Sequence, residues 1–353
     1  MAAAPRIQLH PSTPWGLGIF DRLRLPAFWV GVGIALSVFA VYLVYTGLFG
    51  PGVGYLEGTR GGEVPWAWLA ELIQDFFIGF TLALSAASIR GARRDFADLM
   101  PHLDAAEDDL PRLERAMLSY SRGPLVALAF VGGAATGLLT ITDPSLWQDG
   151  VIPGWSDPSA LWLIARNFVN WYVVVRAMGL ELMLGRTFSR LGERVRLPDL
   201  LDREPLAAFG RRALRNVLLW MLLAAFLSLT YLGEGWASDL MVLALVWLLA
   251  FALAAFVLPL TGIRRRVRER KHDELGRVRA VLAEARGPAL AGAEGVAPGR
   301  LADLLAWEAR VEAVHEWPID APMLLRLALY LAIGLGSWVG AAFVERALET
   351  ALG

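Results

Sequence analysis

The sequence predicts an all-α membrane protein that crosses the bilayer seven times, and three observations lead to this fold class. The 353 residues are 56% hydrophobic and include 14 tryptophans, a composition too apolar for an ordinary soluble domain. The apolar residues form continuous runs rather than alternating patterns, which favours helices over a β-barrel. Basic residues are concentrated in the polar segments between these runs, as the positive-inside rule predicts for a polytopic protein.

Seven apolar windows come close to or exceed the length of about 20 helical residues that a hydrocarbon core requires. The fifth window is the shortest. The first is followed by no small-residue cleavage pattern, so we expect it to be a retained helix rather than a secretory signal. The windows are Phe28–Phe49, Trp66–Ile89, Gly123–Ile141, Ala160–Leu184, Val217–Leu232, Leu240–Gly262 and Met323–Phe343.

The distribution of Lys and Arg predicts the orientation of the chain. Of the 33 basic residues, three precede the first window, six lie between the second and third, eight between the fourth and fifth, and eleven between the sixth and seventh. The segments on the opposite side contain only Arg60 and Arg346. We therefore expect a cytoplasmic N-terminus and an external C-terminus, which an odd number of spans allows.

These patterns divide the chain into three parts. Residues 1–262 hold the first six spans, with cytoplasmic loops at 90–122 and 185–216. Residues 263–322 are predicted to form a cytoplasmic helical hairpin, because apolar residues recur every three to four positions in two charged segments. We expect this anchor to pack its apolar stripes against helices of the same chain or of neighbouring subunits. Residues 323–353 form the seventh span.

Polar side chains interrupt the second and fourth windows. Glu71, Gln74 and Asp75 fall on one helix face, and Asp75 lies about 13 Å from the external end of the second helix at about 1.5 Å per residue. Charges inside a membrane turn toward a partner or a watery cavity, so we expect Asp75 or Glu71 to pair with Arg166. This arrangement is either a packing salt bridge or an external pocket for a polar ligand or ion. At a comparable depth the fourth helix carries Arg166, Asn167 and Asn170.

Other ionisable residues are expected to orient the chain in the membrane or to stabilise the ends of helices. Arg176, Glu181 and Arg326 lie near the predicted cytoplasmic boundary, where long side chains can extend to the head groups. An acidic group follows the second window, and it is either a first helical turn favoured by the macrodipole or a divalent-cation site. Its members are His102, Asp104, Glu107 and Asp108.

The last window differs from the others in its small residues. Gly336 and Gly340 have the spacing that lets helices approach closely. Such packing around a symmetry axis predicts a narrow conduit, and a ring of Glu at its external mouth would favour cations. Tight packing without a conduit is the alternative. The predicted pore residues are Tyr330, Ser337, Val344 and Glu345.

The motifs that catalysis requires are missing from the sequence. "HEWP" lacks the second His that a helical zinc site needs four residues later. The Gly-rich "GPGVGYLEGTRGG" lacks the Gly-Lys-Ser/Thr ending of a phosphate-binding loop. There is no Cys and no serine in a nucleophile-elbow pattern. We therefore expect neither an enzyme nor a cofactor or metal site.

The layout combines a cytoplasmic N-terminus, a long fourth helix, an amphipathic cytoplasmic helix at Arg300–Trp317, a break at "PIDAP" and a final helix rich in small residues. This layout resembles that of insect odorant and gustatory receptors and their relatives, a superfamily of seven-helix ligand-gated ion channels. Their signature in the last helix is Thr-Tyr, five apolar residues and Gln-Phe. Here Tyr330 and the apolar residues are kept, with Gly336 and Ser337 in place of Gln-Phe.

The resemblance implies four subunits around a central pore, with Arg300–Trp317 as the anchor and Met323–Glu345 as the pore helix. On this basis we expect a cation-conducting, homotetrameric ion channel or channel-like ligand receptor. The resemblance also places the ligand pocket on the external side of the earlier helices. Its lining would include Glu71, Asp75, Arg166 and Asn170.

A secondary transporter and a non-transporting scaffold or sensor are the alternatives, although the windows show no inverted repeat. The expected partners are further copies of the chain, the lipid bilayer, ions and a small-molecule ligand of unknown identity, without nucleic acid. Segments such as "EWPIDAPMLLRLALYLAIGLGSW" resemble bacterial membrane proteins. This resemblance implies a multi-pass protein of the bacterial inner (plasma) membrane.

Overall fold

In the computed structural model, the described residues form helices and short connecting segments, with a single β-bridge between Leu103 and Val195. Those residues are 17–23, 25–49, 64–104, 113, 122–142, 158–197, 199–202, 204–229, 239–290, 299–334 and 336. A short 3₁₀ turn covers Met100–His102. The α-helices are α1 (Ile19–Arg22), α2 (Ala27–Phe49), α3 (Val64–Leu99), α4 (Arg122–Thr142), α5 (Pro158–Gly192), α6 (Glu204–Leu229), α7 (Asp239–Leu290), α8 (Arg300–Ala313) and α9 (Ala321–Gly334).

The predicted all-α class is confirmed for the described residues, and four helices are long and apolar enough to cross a membrane. Shorter apolar helical stretches lie at Gly123–Leu138 in α4 and in α9. Each of the seven predicted windows overlaps a described helix, but the number of spans and the orientation of the termini remain predictions. The four long segments are Ala27–Phe49, Glu71–His102, Leu161–Gly192 and Leu245–Arg286.

Helix α3 lies at the centre of the bundle, where it packs against α2, α5 and α6. Helix α5 also contacts α4 and α7, and α7 contacts α6. Completely buried apolar side chains such as Ile89, Leu184 and Phe209 fill the space between these helices. The outward faces of α2 and α4 instead expose large apolar residues, including Leu48 and Val131. Exposed apolar surface of this extent is suited to contact with lipid.

Glycines allow two pairs of helices to approach closely. A Cβ atom at Gly79 of α3 would lie 2.2 Å from the carbonyl oxygen of Gly31 in α2. At Gly262 of α7 it would lie 1.7 Å from the carbonyl oxygen of Ser189 in α5. Any larger residue would have to push the backbones apart. Just beyond α9, where small-residue packing was predicted, Gly336 faces open space, and Gly340 lies outside the described residues.

Helix α8 contacts the second half of α7, in the segment for which a cytoplasmic hairpin is predicted. Helix α7 has 52 residues, or about 78 Å at 1.5 Å per residue, so it extends well beyond a hydrocarbon core of about 30 Å. Arg279 binds Glu308 and Glu312 of α8, each at 2.6 Å. The ammonium group of Lys271 donates to the carbonyl oxygens of Glu312 and Val314. These bonds connect α8 to α7, while the placement of the hairpin in the cytoplasm remains a prediction.

Candidate functional site

The first polar cluster lies between α3 and α5 and contains the predicted ion pair. Glu71 is completely buried, and Arg166 Nη1 donates to its Oε2 at 2.6 Å. The indole of Trp162 donates to Oε1 of the same carboxylate at 2.8 Å. Both oxygens of Glu71 therefore have a donor, which compensates for their removal from water. The structure assigns Glu71, rather than Asp75, as the partner of Arg166.

Two tyrosines of α2 support the indole that binds Glu71. The rings of Tyr42 and Tyr45 lie 5.3 Å and 5.2 Å from the ring of Trp162. The hydroxyl of Tyr45 donates to the carbonyl oxygen of Pro158 at the start of α5. Because α2, α3 and α5 all contribute to this contact, the position of Trp162 is fixed from three sides.

Asp75, one helical turn from Glu71, is completely buried, and neither of its carboxylate oxygens has a hydrogen-bond partner in the described part of the chain. One residue before it on α3, Gln74 accepts at Oε1 a hydrogen bond from Asn170 Nδ2 of α5 at 3.0 Å. The remaining Asn170 oxygen, Oδ1, also has no hydrogen-bond partner there. Asn167 is half-buried on the same helix. We call these residues, with Glu71, Trp162 and Arg166, the Asp75 cluster.

A second polar cluster lies where α3, α5 and α6 meet, and we call it the Arg212 cluster. Arg212 Nη2 donates to Glu181 Oε1 at 2.7 Å, and Ser88 Oγ donates to Oε2 at 2.5 Å. The guanidinium also lies over the ring of Phe188, 4.6 Å from its centroid. Arg212 is completely buried and Glu181 nearly so. The expectation that Glu181 extends toward the membrane boundary is wrong, because α6 supplies a buried partner.

The burial of Arg212 was not predicted, because this residue lies in a segment rich in Arg. The sequence does contain a pattern that indicates the burial of Arg212. Arg212, Asn216 and Trp220 recur every four residues along α6, and all three are buried. Basic residues required only for orientation would not share a face with apolar core positions. The four-residue spacing thus separates the buried arginine from its exposed neighbour Arg211.

A small cavity of about 20 Å³ adjoins the Arg212 cluster, enough for one water molecule. On the α3 side, the hydroxyls of Thr81 and Ser85 also donate to backbone carbonyls of their own helix. Along α3, the buried residues Phe77 and Ile78 lie between Asp75 and this region. The polar residues that line the cavity are Thr81, Ser85, Ser88, Glu181 and Trp220.

Only one of the four predicted pore residues lies in the described part of the chain. Tyr330 is half-buried on α9 and packs against the bundle core, whereas Ser337, Val344 and Glu345 lie outside the described residues. The outward face of α9 exposes apolar side chains, with Leu325 at 73% exposure. A central pore therefore remains a prediction.

The acidic group after α3 forms a structural contact. Asp104 Oδ1 accepts from Arg196 Nε at 3.0 Å, and its backbone N–H donates to the carbonyl oxygen of Arg194. Glu107 and Asp108 lie outside the described residues. Among the residues that are described, no three His, Cys, Asp or Glu side chains are grouped to hold a metal ion. We therefore assign Asp104 to the connection between α3 and the segment after α5.

Comparison of the chain with protein-family models, curated proteins and solved structures finds no match. The two buried clusters and the chemistry of their residues are therefore the observations that bear on function.

Proposed function

We propose that this protein moves a small cation across a membrane along a path inside each subunit. The observation that carries the proposal is the pair of buried charged clusters in a bundle of apolar helices, joined by the polar face of α3. Ionisable residues inside membrane helices are rare, and they mark ion pathways when they face the bundle interior. The long apolar helices support a membrane location for the protein.

The spacing of the two clusters suits a transmembrane path. Glu71 and Ser88 are separated by about 25 Å along α3 at about 1.5 Å per residue, which is most of a hydrocarbon core of about 30 Å. Thr81 and Ser85 lie between them on the buried side of the helix. A cation moving along this face would meet oxygen atoms near both ends of the membrane.

Apolar side chains close the path between the clusters. Phe77 and Ile78 are buried just beyond Asp75, and the ring of Phe80 stacks on Phe226 of α6 at 5.2 Å. An ion cannot cross such a layer without a shift of the helices. A closed layer between two polar sites is typical of alternating access, so a transporter fits this geometry better than an open pore.

The path is tested in liposomes that contain purified protein and a dye sensitive to protons, Na⁺ or K⁺. An imposed gradient should drive flux above that of protein-free liposomes. Ser85→Leu should abolish this flux by filling the buried polar face, while Ser37→Leu should leave it intact because Ser37 is exposed on α2. Equal flux in the two variants, or none of the three cations moving in wild type, would contradict the proposal.

A shared-pore channel is the second candidate, and the apolar outward face of α9 favours it. Leu325, Leu329 and Ile333 are exposed along this helix, and α9 helices meeting at a symmetry axis would cover them. Native mass spectrometry in mild detergent separates the two candidates. A homotetramer would support the channel, whereas a monomer with flux would support a path within each subunit.

We also propose the seven-span topology, with the N-terminus and the α7–α8 hairpin in the cytoplasm. Because the chain has no Cys, single introduced cysteines report their side of the membrane without background. A membrane-impermeant thiol reagent applied from outside should label Glu57→Cys and leave Asp202→Cys unlabelled in intact cells. The reverse result would invert the topology.

A further inference from the structure

Three buried oxygen atoms of the Asp75 cluster lack a donor. They are the two carboxylate oxygens of Asp75 and the Oδ1 atom of Asn170, all without a hydrogen-bond partner in the described part of the chain. Buried acceptors normally have a partner, and an unpaired buried charge is more costly still. We propose that Asp75 and Asn170 form a binding site for a monovalent cation, either a proton or Na⁺.

The charges around Asp75 leave one negative charge to be neutralised. Glu71 on the same helix and Arg166 on α5 form a close ion pair, so their charges largely cancel. From α2 the nearby ionisable groups are the phenols of Tyr42 and Tyr45, which pack around Trp162. Residues 216–227 of α6 and 245–260 of α7 contain no ionisable side chain. Among the described residues around this site, no protein cation is therefore left for the Asp75 carboxylate.

The composition of the site favours a monovalent over a divalent ion. Ca²⁺ and Mg²⁺ sites draw on several carboxylates or waters, whereas only one uncompensated carboxylate is present here. A proton would convert the Asp75 carboxylate to a neutral acid. Na⁺ would instead use carboxylate oxygens together with the amide oxygen of Asn170. This inference deepens the proposed function by naming the class of ion and its binding residues.

The test measures thermal unfolding of detergent-purified protein, without a membrane or a gradient. One arm titrates NaCl against choline chloride at constant ionic strength and alkaline pH, and the other lowers the pH without Na⁺. A cation that binds the folded chain more tightly than the unfolded chain stabilises it. In at least one arm, the unfolding midpoint of wild type should therefore rise by several degrees, and that arm identifies the ion.

Asp75→Asn should abolish the response, while Asp98→Asn should retain it, because Asp98 is an exposed carboxylate of the same helix. Asn170→Ala provides a second variant, which should weaken a Na⁺ response and leave a proton response in place. A wild-type response no larger than that of Asp75→Asn in both arms would overturn the inference. Flux in liposomes without such a response would refute this site alone, whereas a response without flux would refute the proposed transport alone.

Discussion

The Arg212 cluster and the Asp75 cluster are both buried between α3 and its neighbours, but they differ in how their oxygen atoms are bonded. Both oxygens of Glu181 accept a hydrogen bond, one from Arg212 and one from Ser88. Both oxygens of Asp75 lack one among the described residues. A buried carboxylate whose two oxygens accept from the protein stabilises a single packing of the helices, whereas a buried carboxylate without donors needs a partner from outside. The hydrogen bonding of the carboxylate oxygens, rather than burial alone, therefore distinguishes the structural cluster from the binding site.

The largest effect is expected at the Arg212 cluster. Arg212→Ala leaves Glu181 buried without its cation and should destabilise the protein by about 3–5 kcal/mol. The control is Arg211→Ala, because Arg211 binds Asp98 with both side chains more than half exposed, and such pairs contribute about 0–1 kcal/mol. Reversible unfolding in mixed micelles provides both values. Similar losses in the two variants would show that the buried pair has no special structural role.

A smaller loss is expected at the ion pair beside Asp75. Glu71→Gln removes the charge that faces Arg166 but keeps an acceptor for Trp162, so we expect a loss of about 2 kcal/mol. The double variant with Arg166→Gln should recover part of this loss, since it no longer leaves a buried charge unpaired. The double-mutant cycle measures the coupling energy. Strictly additive losses would contradict a direct Glu71–Arg166 pair.

The contrast between the clusters also shows which parts of the site the sequence can predict. Spacing and depth predict that Glu71, Asp75 and Arg166 lie together, and the structure pairs Glu71 with Arg166 and buries Asp75 one helical turn from Glu71. Which carboxylate pairs with Arg166 depends on the rotation of α3 and on the second donor, Trp162. No local sequence pattern specifies the rotation of α3 or the hydrogen bond from Trp162. The order of residues alone therefore leaves both pairings open.

The sequence likewise predicts part of the fold, namely the helices but not all of their contacts. Continuous apolar runs identify the helices, and the three-to-four-residue recurrence continues α7 far beyond its apolar half. The partner of Glu181 was missed because Arg212 belongs to a segment whose charges suit the positive-inside rule equally well. Its burial follows from the contact of α6 with α3 and α5, a tertiary feature that sequence periodicity only indicates.

The crossing of α5 and α7 should be sensitive to a single methyl group. Gly262→Ala would bring a Cβ against the backbone of Ser189 and should destabilise the protein by about 1–2 kcal/mol through overpacking. Gly276→Ala in the same helix faces open space and should be neutral or slightly stabilising, because Ala favours helix. Thermal unfolding compares the two. A neutral Gly262→Ala would mean that the helices separate without loss of stability.

The smallest effect is expected in the hairpin. Arg279 is more than half exposed where it binds Glu308 and Glu312, and exposed ion pairs contribute little because water screens them. Arg279→Ala should therefore leave the unfolding midpoint and the helical circular-dichroism signal unchanged. A clear loss of helix would indicate that α8 depends on this contact far more than its exposure implies.

The most direct test compares the stability of Asp75→Asn with that of Glu181→Gln at neutral pH in a buffer without Na⁺. Asn replaces a carboxyl that has no protein donor, so Asp75→Asn should be as stable as wild type or more stable. Gln disrupts a charge-balanced buried pair, so Glu181→Gln should be clearly destabilised. If Asp75→Asn lost as much stability as Glu181→Gln, Asp75 would be a packing residue like Glu181, and the difference between the two clusters would not hold.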